Sequence, residues 1–168
     1  SCNMQLVEVT IPDQENEWIL FPSVLYAHDP MYIRHIDQEI RDVFNPKLNR
    51  VFSEPKSEVI RWMLKKNGQT IGRMAAFVNG HTADKEKQPT GGCGFFDCID
   101  DQKAANMLFD AAKAWLQLRG MQAMDGPVNF GERDKFWGVL IDGFTQQNYG
   151  MFYNAPYYRR LLEGYGFQ

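Results

Sequence analysis

GFFDCIDDQKAANMLFDAAKAWLQLRG, residues 94–120, reads as a strand that runs directly into a helix. The apolar positions Ala104, Leu108, Ala111, Ala112, Trp115 and Leu116 recur at helical spacing, and Gly120 ends the run. A helix start offers free N–H groups and the positive end of its dipole, which suits a phosphate. Here the turn holds Asp100 and Asp101 and no glycine. Either aspartate can cap the helix and take the donors that an anion would use. A self-capped helix and an altered ligand site are therefore both open readings of this turn.

Upstream, MQLVEVTI (residues 4–11) alternates and is rich in β-branched residues, so it predicts a strand. PDQENEWILFPSVLYAHDP (12–30) predicts a helix capped by Asp13, with Trp18, Ile19, Phe21, Val24 and Leu25 as its apolar set. Pro22 is expected to start or kink it. MYIRHIDQEIRDVFNPKLN (31–49) predicts a short helix with Ile33, Ile36, Ile40, Val43 and Phe44 on one side, ending at Asn45 before Pro46. SEVIRWMLKKNGQTIGRMAAFVN (57–79) predicts a hairpin, because two alternating runs flank Asn67-Gly68. Residues 80–90 are polar and predict an exposed, mobile loop. MQAMDGPVNF (121–130) predicts another strand, and YNAPYYRRLLEGYGFQ (153–168) a closing short helix.

The resulting order is strand, two helices, antiparallel hairpin, strand, helix, strand, helix. The strand-helix-strand unit implies a right-handed crossover between parallel strands. The sum is an α/β fold, a mixed sheet with helices packed on its faces, in one domain over residues 1–168.

Composition narrows the function. The 168 residues are 44% hydrophobic and 14% aromatic, which predicts a folded domain with its own core. A net charge of −3 gives no reason to expect nucleic acid or an anionic membrane as partner. No apolar run approaches the roughly 20 residues of a membrane helix, and SCNMQLVEVTIP is unlike a signal peptide. Met4 is a candidate natural start. A cytoplasmic protein is expected. Cys93 and Cys98 lie an odd number of residues apart, which on a regular strand puts them on opposite faces and unbonded. His28, His35 and His81 stand apart without cysteines at ligand spacing, so no metal site is expected.

The segments GRMAAFVN (72–79), GFFDCIDDQKAANMLFDAAKAWL (94–116), GMQAMDGPVNFGERDKFWGVLIDGF (120–144) and YNAPYYRRLLEGYGF (153–167) together resemble the GNAT superfamily of N-acyltransferases. More closely, they are similar to a bacterial GNAT-like subfamily whose members mostly lack an assigned function. The resemblance implies a mostly antiparallel mixed sheet, helices on both faces, and a parting between the fourth and fifth strands. It also implies acetyl-CoA or another acyl-CoA as donor and a small-molecule or peptide amine as acceptor. Phe96, Asp97, Cys98 and Ile99 would then line the pantetheine arm. Gln102, Lys103 and Ala104 would meet the pyrophosphate, with Asn129 and Asn154 as further cofactor contacts; Asn154 can equally cap the last helix.

Two motifs depart from the superfamily. Asp100 and Asp101 replace a basic, glycine-containing turn. Leu162 stands where the superfamily places the tyrosine that protonates the departing thiolate. Tyr157, Tyr158 and Tyr165 are the nearby phenols; Tyr157 and Tyr158 are the catalytic candidates, with core packing as the alternative. Glu132, in GPVNFGERDKFWG, is the candidate base, the alternative being a polar turn in which Arg133 and Asp134 pair. In the superfamily one or two strands follow the last helix, whereas this chain stops at Gln168, so a longer protein or a homodimer that supplies the missing edge is expected. The function implied is N-acyl transfer; the alternative is a catalytically inactive module that binds a ligand or a protein, or else the regulatory half of a longer chain.

Overall fold

The computed structural model describes residues 3–30, 32, 37–45, 47, 55–80, 89–128, 139–140 and 157–166. It comprises β1 (Met4–Glu8), α1 (Pro12–Leu25), α2 (Asp37–Val43), β2 (Glu58–Lys66), β3 (Gln69–Val78), β4 (Thr90–Cys98), α3 (Gln102–Gln117), β5 (Ala123–Val128), β6 (Val139–Leu140) and α4 (Tyr158–Tyr165). The six strands form one sheet in the order β1-β2-β3-β4-β5-β6. Only β4 and β5 pair in parallel, joined by α3. The mixed, mostly antiparallel sheet follows the expected order. The addition is β6, two residues that pair with Asp125 and Gly126. A strand of two residues is too short to show an alternation.

The β2–β3 hairpin turns at Asn67 and Gly68 with φ of 51° and 80°, the conformation this dipeptide favours in a two-residue turn. On one face of the sheet, Trp18 and Ile19 of α1 and Ile40 of α2 pack on Met63, Ala75, Phe77 and Phe95. On the other, Leu108, Phe109 and Ala112 of α3 and Leu161 and Leu162 of α4 pack on Leu64, Met74, Ala76 and Phe96. Helices thus cover both faces.

Helix α1 differs from expectation at three points. Asp13 does not cap it: Pro12 opens the helix, and the Gln14 side chain reaches back to accept from Thr10 N at 2.8 Å and Ile11 N at 3.3 Å. Pro22 does not start it, since the helix runs from Pro12 through to Leu25. Val24 points to solvent, 69% exposed. The proline removes the N–H that would reach back to the Trp18 carbonyl. That carbonyl finds another donor, described below. In the second helix Ile40 is buried and Val43 and Phe44 are partly buried, as expected; Ile33 and Ile36 lie outside the described residues, as do residues 81–88 of the expected loop.

Strand β4 carries the decisive irregularity. Its register against β3 runs Gly72↔Cys98 and Arg73↔Asp97, then jumps to Ala75↔Gly94. Phe95 and Phe96 therefore share the place of one residue, and Phe95 adopts φ 53°. This is a β-bulge. A bulky residue in the left-handed region costs about 1 kcal/mol or more, which the burial of the Phe95 ring against Trp18 and Phe44 offsets. The extra residue shifts the phase of the strand. Cys93 and Cys98 consequently join the same core, on the α3 face, contrary to the opposite faces that a regular strand would give. Both remain free thiols.

The bulge also follows directly on the last β4–β5 pairing among the described residues. The parallel pairing runs from Thr90↔Ala123 to Gly94↔Val128, and no described residue of β5 pairs with β4 beyond it. Before the parting the strands are tightly joined: a Cβ on Gly126 would collide with Cys93 Sγ and stand 3.2 Å from the Cys93 carbonyl oxygen. Gly126→Ala is expected to cost about 2 kcal/mol, the usual penalty of overpacking. Adding Cys93→Ala should recover part of that loss, so urea melts of the two single variants and the double variant should be clearly non-additive.

Candidate functional site

The stretch of β4 beyond the bulge is lined by a buried polar network. Arg73 of β3 and Asp97 of β4 stand opposite each other and are only 5% and 7% exposed. Arg73 Nε donates to Asp97 Oδ2 at 2.9 Å, and its NH2 nitrogen lies 2.8 Å from the same oxygen. Arg73 NH1 donates to the Trp18 carbonyl at 2.9 Å, the carbonyl that Pro22 leaves without its helical partner. The guanidinium lies 4.5 Å from the centre of the Trp18 ring, a cation–π distance. The other Asp97 oxygen accepts from Tyr26 at 2.9 Å and Tyr158 at 3.1 Å, and the two tyrosine hydroxyls touch each other. Burial pushes the Asp97 carboxyl up, while Arg73 and the two hydroxyls pull it back.

Tyr26 follows α1, which packs on one face of the sheet, and Tyr158 belongs to α4, on the other. Their hydroxyls meet at Asp97. Among the described residues no strand pairs with β4 at that level. Cys98 N–H donates to the Tyr158 hydroxyl at 3.0 Å, and Tyr157 donates to the Cys98 carbonyl at 2.5 Å. A fifth strand at the usual spacing of about 4.8 Å would take these bonds itself. Ile99 N–H instead donates toward β3, to Ile71 O. The alternation of the strand then turns the N–H and C=O of Phe96 the same way as those of Cys98, toward the open edge.

The expected site residues fall into three groups. Asp97, Cys98, Tyr157 and Tyr158 come together at the edge, with the Phe96 ring beside them, 5.1 Å from that of Tyr158. Ile99, Gln102, Lys103 and Ala104 lie at the turn into α3. There Asp101 caps the helix, accepting from Lys103 N at 2.9 Å and Ala104 N at 3.3 Å. Asp100 pairs with Arg160 of α4 at 2.6 Å. The Gln102 side chain donates to Leu161 O at 2.9 Å and to Asn106 Oδ1 at 2.8 Å. Lys103 is exposed and Ala104 buried. Asn129, Glu132 and Asn154 lie outside the described residues. Arg73 and Tyr26 were not expected at the site. The signal was there for the first: a lone arginine in the apolar run GRMAAFV needs a buried partner.

The two tyrosines differ in chemistry. Tyr158 is fully buried, and desolvation together with the Asp97 charge pushes its phenol well above the ordinary range. Tyr157 is half-buried at the edge. Among the described residues no group of three or more His, Cys, Asp or Glu is placed to hold a metal, and no helix is long and apolar enough to cross a membrane.

Two solved structures share this architecture. A tandem GNAT protein from the clavulanic acid biosynthesis pathway superposes with a TM-score of 0.60 at 10% identity, over 96% of this chain and 43% of that one. The aminoglycoside N-acetyltransferase AAC(6')-Iy in complex with CoA superposes with a TM-score of 0.50 at 13% identity, over 93% and 97%. The fold is that of the GNAT acyltransferases. No protein-family model matches the chain. In sequence it is 31% identical over 154 residues to the protein YghO of Escherichia coli, covering 89% of this chain and 38% of that protein. It is 30% identical over 145 residues to a bacterial ceramide synthase of Caulobacter vibrioides, covering 86% and 37%. The chain thus spans less than two fifths of the length of these curated relatives.

Removing Arg73 would strand the Asp97 carboxylate in the interior. Arg73→Met is expected to cost about 3–5 kcal/mol, and adding Asp97→Asn should restore a large part. With burial acting alone, the Asp97 pKa lies further above its unfolded value. The folded state then binds more protons, and stability is lost as pH rises through the folded pKa. Arg73→Met should therefore lose stability as pH rises above about 4, the unfolded carboxylate's range, more steeply than the unmodified chain; equal slopes in denaturant midpoints against pH would contradict the pairing.

Proposed function

We propose that this chain is an N-acyltransferase unit that moves an acyl group from a thioester onto an amine, and that the acceptor is a long-chain amino alcohol. The observation that carries the reading is the edge of β4 beyond the bulge, where among the described residues no strand pairs with it and the Phe96 backbone groups are turned away from β3. An extended pantetheine arm, with its own amides, can pair with such an edge as a strand would. The likeness to an acetyltransferase solved with CoA supports a thioester donor. The acceptor class follows from the ceramide synthase relative, because a ceramide is an amide of a long-chain amino alcohol.

In this reading the amine attacks the thioester carbonyl. The tetrahedral intermediate then collapses, the C–S bond breaks, and the thiolate takes a proton. Tyr157 is the acid. Its O–H already lies on the open edge, and handing that proton to a thiolate whose conjugate pKa is about 8.5 assists departure. Tyr158 is a positioning residue: its proton is directed at Asp97, and it holds the Cys98 N–H. Glu132 remains the candidate base for the attacking ammonium, on sequence grounds alone.

A second reading, a module that binds without turnover, is favoured by one observation. Both backbone groups of Cys98 and two first-turn donors of α3, Lys103 N and Ala104 N, are already satisfied within the chain. The two readings separate in one assay. Incubated with octanoyl-CoA and a long-chain amino alcohol, the chain should yield the amide, read by mass spectrometry, and an equal amount of free thiol. Tyr157→Phe should lower kcat about 100-fold, the range for loss of a general acid, with little change in KM. Thiol release that is unchanged in Tyr157→Phe would remove the role of Tyr157, and binding with no amide would favour the module.

A further inference from the structure

We infer that this chain recognises its donor through the acyl-pantetheine arm and not through the diphosphate, so that a nucleotide-free pantetheine thioester serves it as well as acyl-CoA does. The inference rests on the proposed thioester chemistry and concerns the turn between β4 and α3, where a diphosphate would be read if it were read by a helix start.

Four features of that turn work against an anion. Two of the donors it offers, Lys103 N and Ala104 N, are filled by Asp101 Oδ1, and Ala105 N donates to Asp101 O. The next carboxylate, Asp100, occupies the nearby cation Arg160. The residues from Cys98 to Ala104 include no glycine, so side chains keep a phosphate from approaching the backbone closely. The turn is also covered by α4. Gln102 is bonded to the Leu161 carbonyl, and Gly164 sits so close to Gln102 that a Cβ on it would collide with the Gln102 amide. These contacts hold α4 against the first turn of α3.

The edge itself reads a different part of the donor. The pantetheine arm carries two amides and no charge, and it needs only the backbone groups at Phe96 and a gap. A diphosphate seated on two or more charge-assisted hydrogen bonds would add about 100-fold or more to affinity. A donor held by its arm alone gains nothing from the nucleotide.

Calorimetric titration tests this with two probes, octanoyl-CoA and S-octanoylpantetheine. Dissociation constants within about threefold of each other are expected. Asp101→Asn, which keeps a side-chain cap but removes its charge, and the double variant Asp100→Ala/Asp101→Gly, which opens the donors, provide the second arm. The double variant should shift the preference toward octanoyl-CoA by about tenfold or more, and Asp101→Asn by less. A preference of 30-fold or more for octanoyl-CoA in the unmodified chain would overturn the inference while leaving acyl transfer intact. No heat with either probe at millimolar concentration would overturn the acyl-transfer reading, and this inference with it.

Discussion

The Arg73–Asp97 pair is the interaction on which the rest of this architecture depends. It lies between two central strands, out of water, and it is tied to elements on both faces of the sheet. Arg73 takes up the carbonyl that Pro22 orphans in α1 and stacks on Trp18. Asp97 gathers the hydroxyls of Tyr26 and Tyr158. A buried ion pair is rarely a net gain in stability over apolar residues of the same shape. Its use here is geometric: it fixes where α1 and α4 meet relative to the edge of β4.

That meeting is possible because β4 is interrupted. The bulge at Phe95 comes one residue after the last β4–β5 pairing, at Gly94. Before it the sheet is continuous, with glycines at Gly91, Gly92 and Gly126 allowing close contact with Leu116, Phe77 and Cys93. After it, the Cys98 backbone is bonded by the hydroxyls of Tyr157 and Tyr158. The chain therefore combines a rigid half-sheet with an edge whose present partners are two side chains, which can be exchanged for another strand-like partner at lower cost than a paired strand could.

Much of this was legible in the sequence, for identifiable reasons. The hairpin was announced by Asn67-Gly68, and α3 by its apolar spacing and by an aspartate at its cap. The resemblance of residues 94–116 gave the strand order and the parallel pairing of the fourth and fifth strands. The bulge was not legible: GGCGFFDC alternates too weakly to reveal an inserted residue, so Cys93 and Cys98 were assigned to opposite faces. Asp13 and Pro22 misled because local propensity was outweighed by Pro12 with Gln14 in one case and by a long-range donor, Arg73, in the other. Of the candidate site, the tyrosines and β4 were found from sequence. Tyr26 was not, because a single tyrosine at a helix end carries no periodic signal.

The central claim is that β4 presents an unpaired backbone beyond its bulge. Residue-resolved hydrogen exchange of the Phe96 amide tests it most directly, with the Asp97 amide, paired to β3, as internal reference. The account predicts low protection at Phe96 in the free protein, rising when an acyl-pantetheine thioester is added, while Asp97 stays protected throughout. Phe96 as strongly protected as Asp97 before any ligand is added would mean a continuous sheet, and would contradict it.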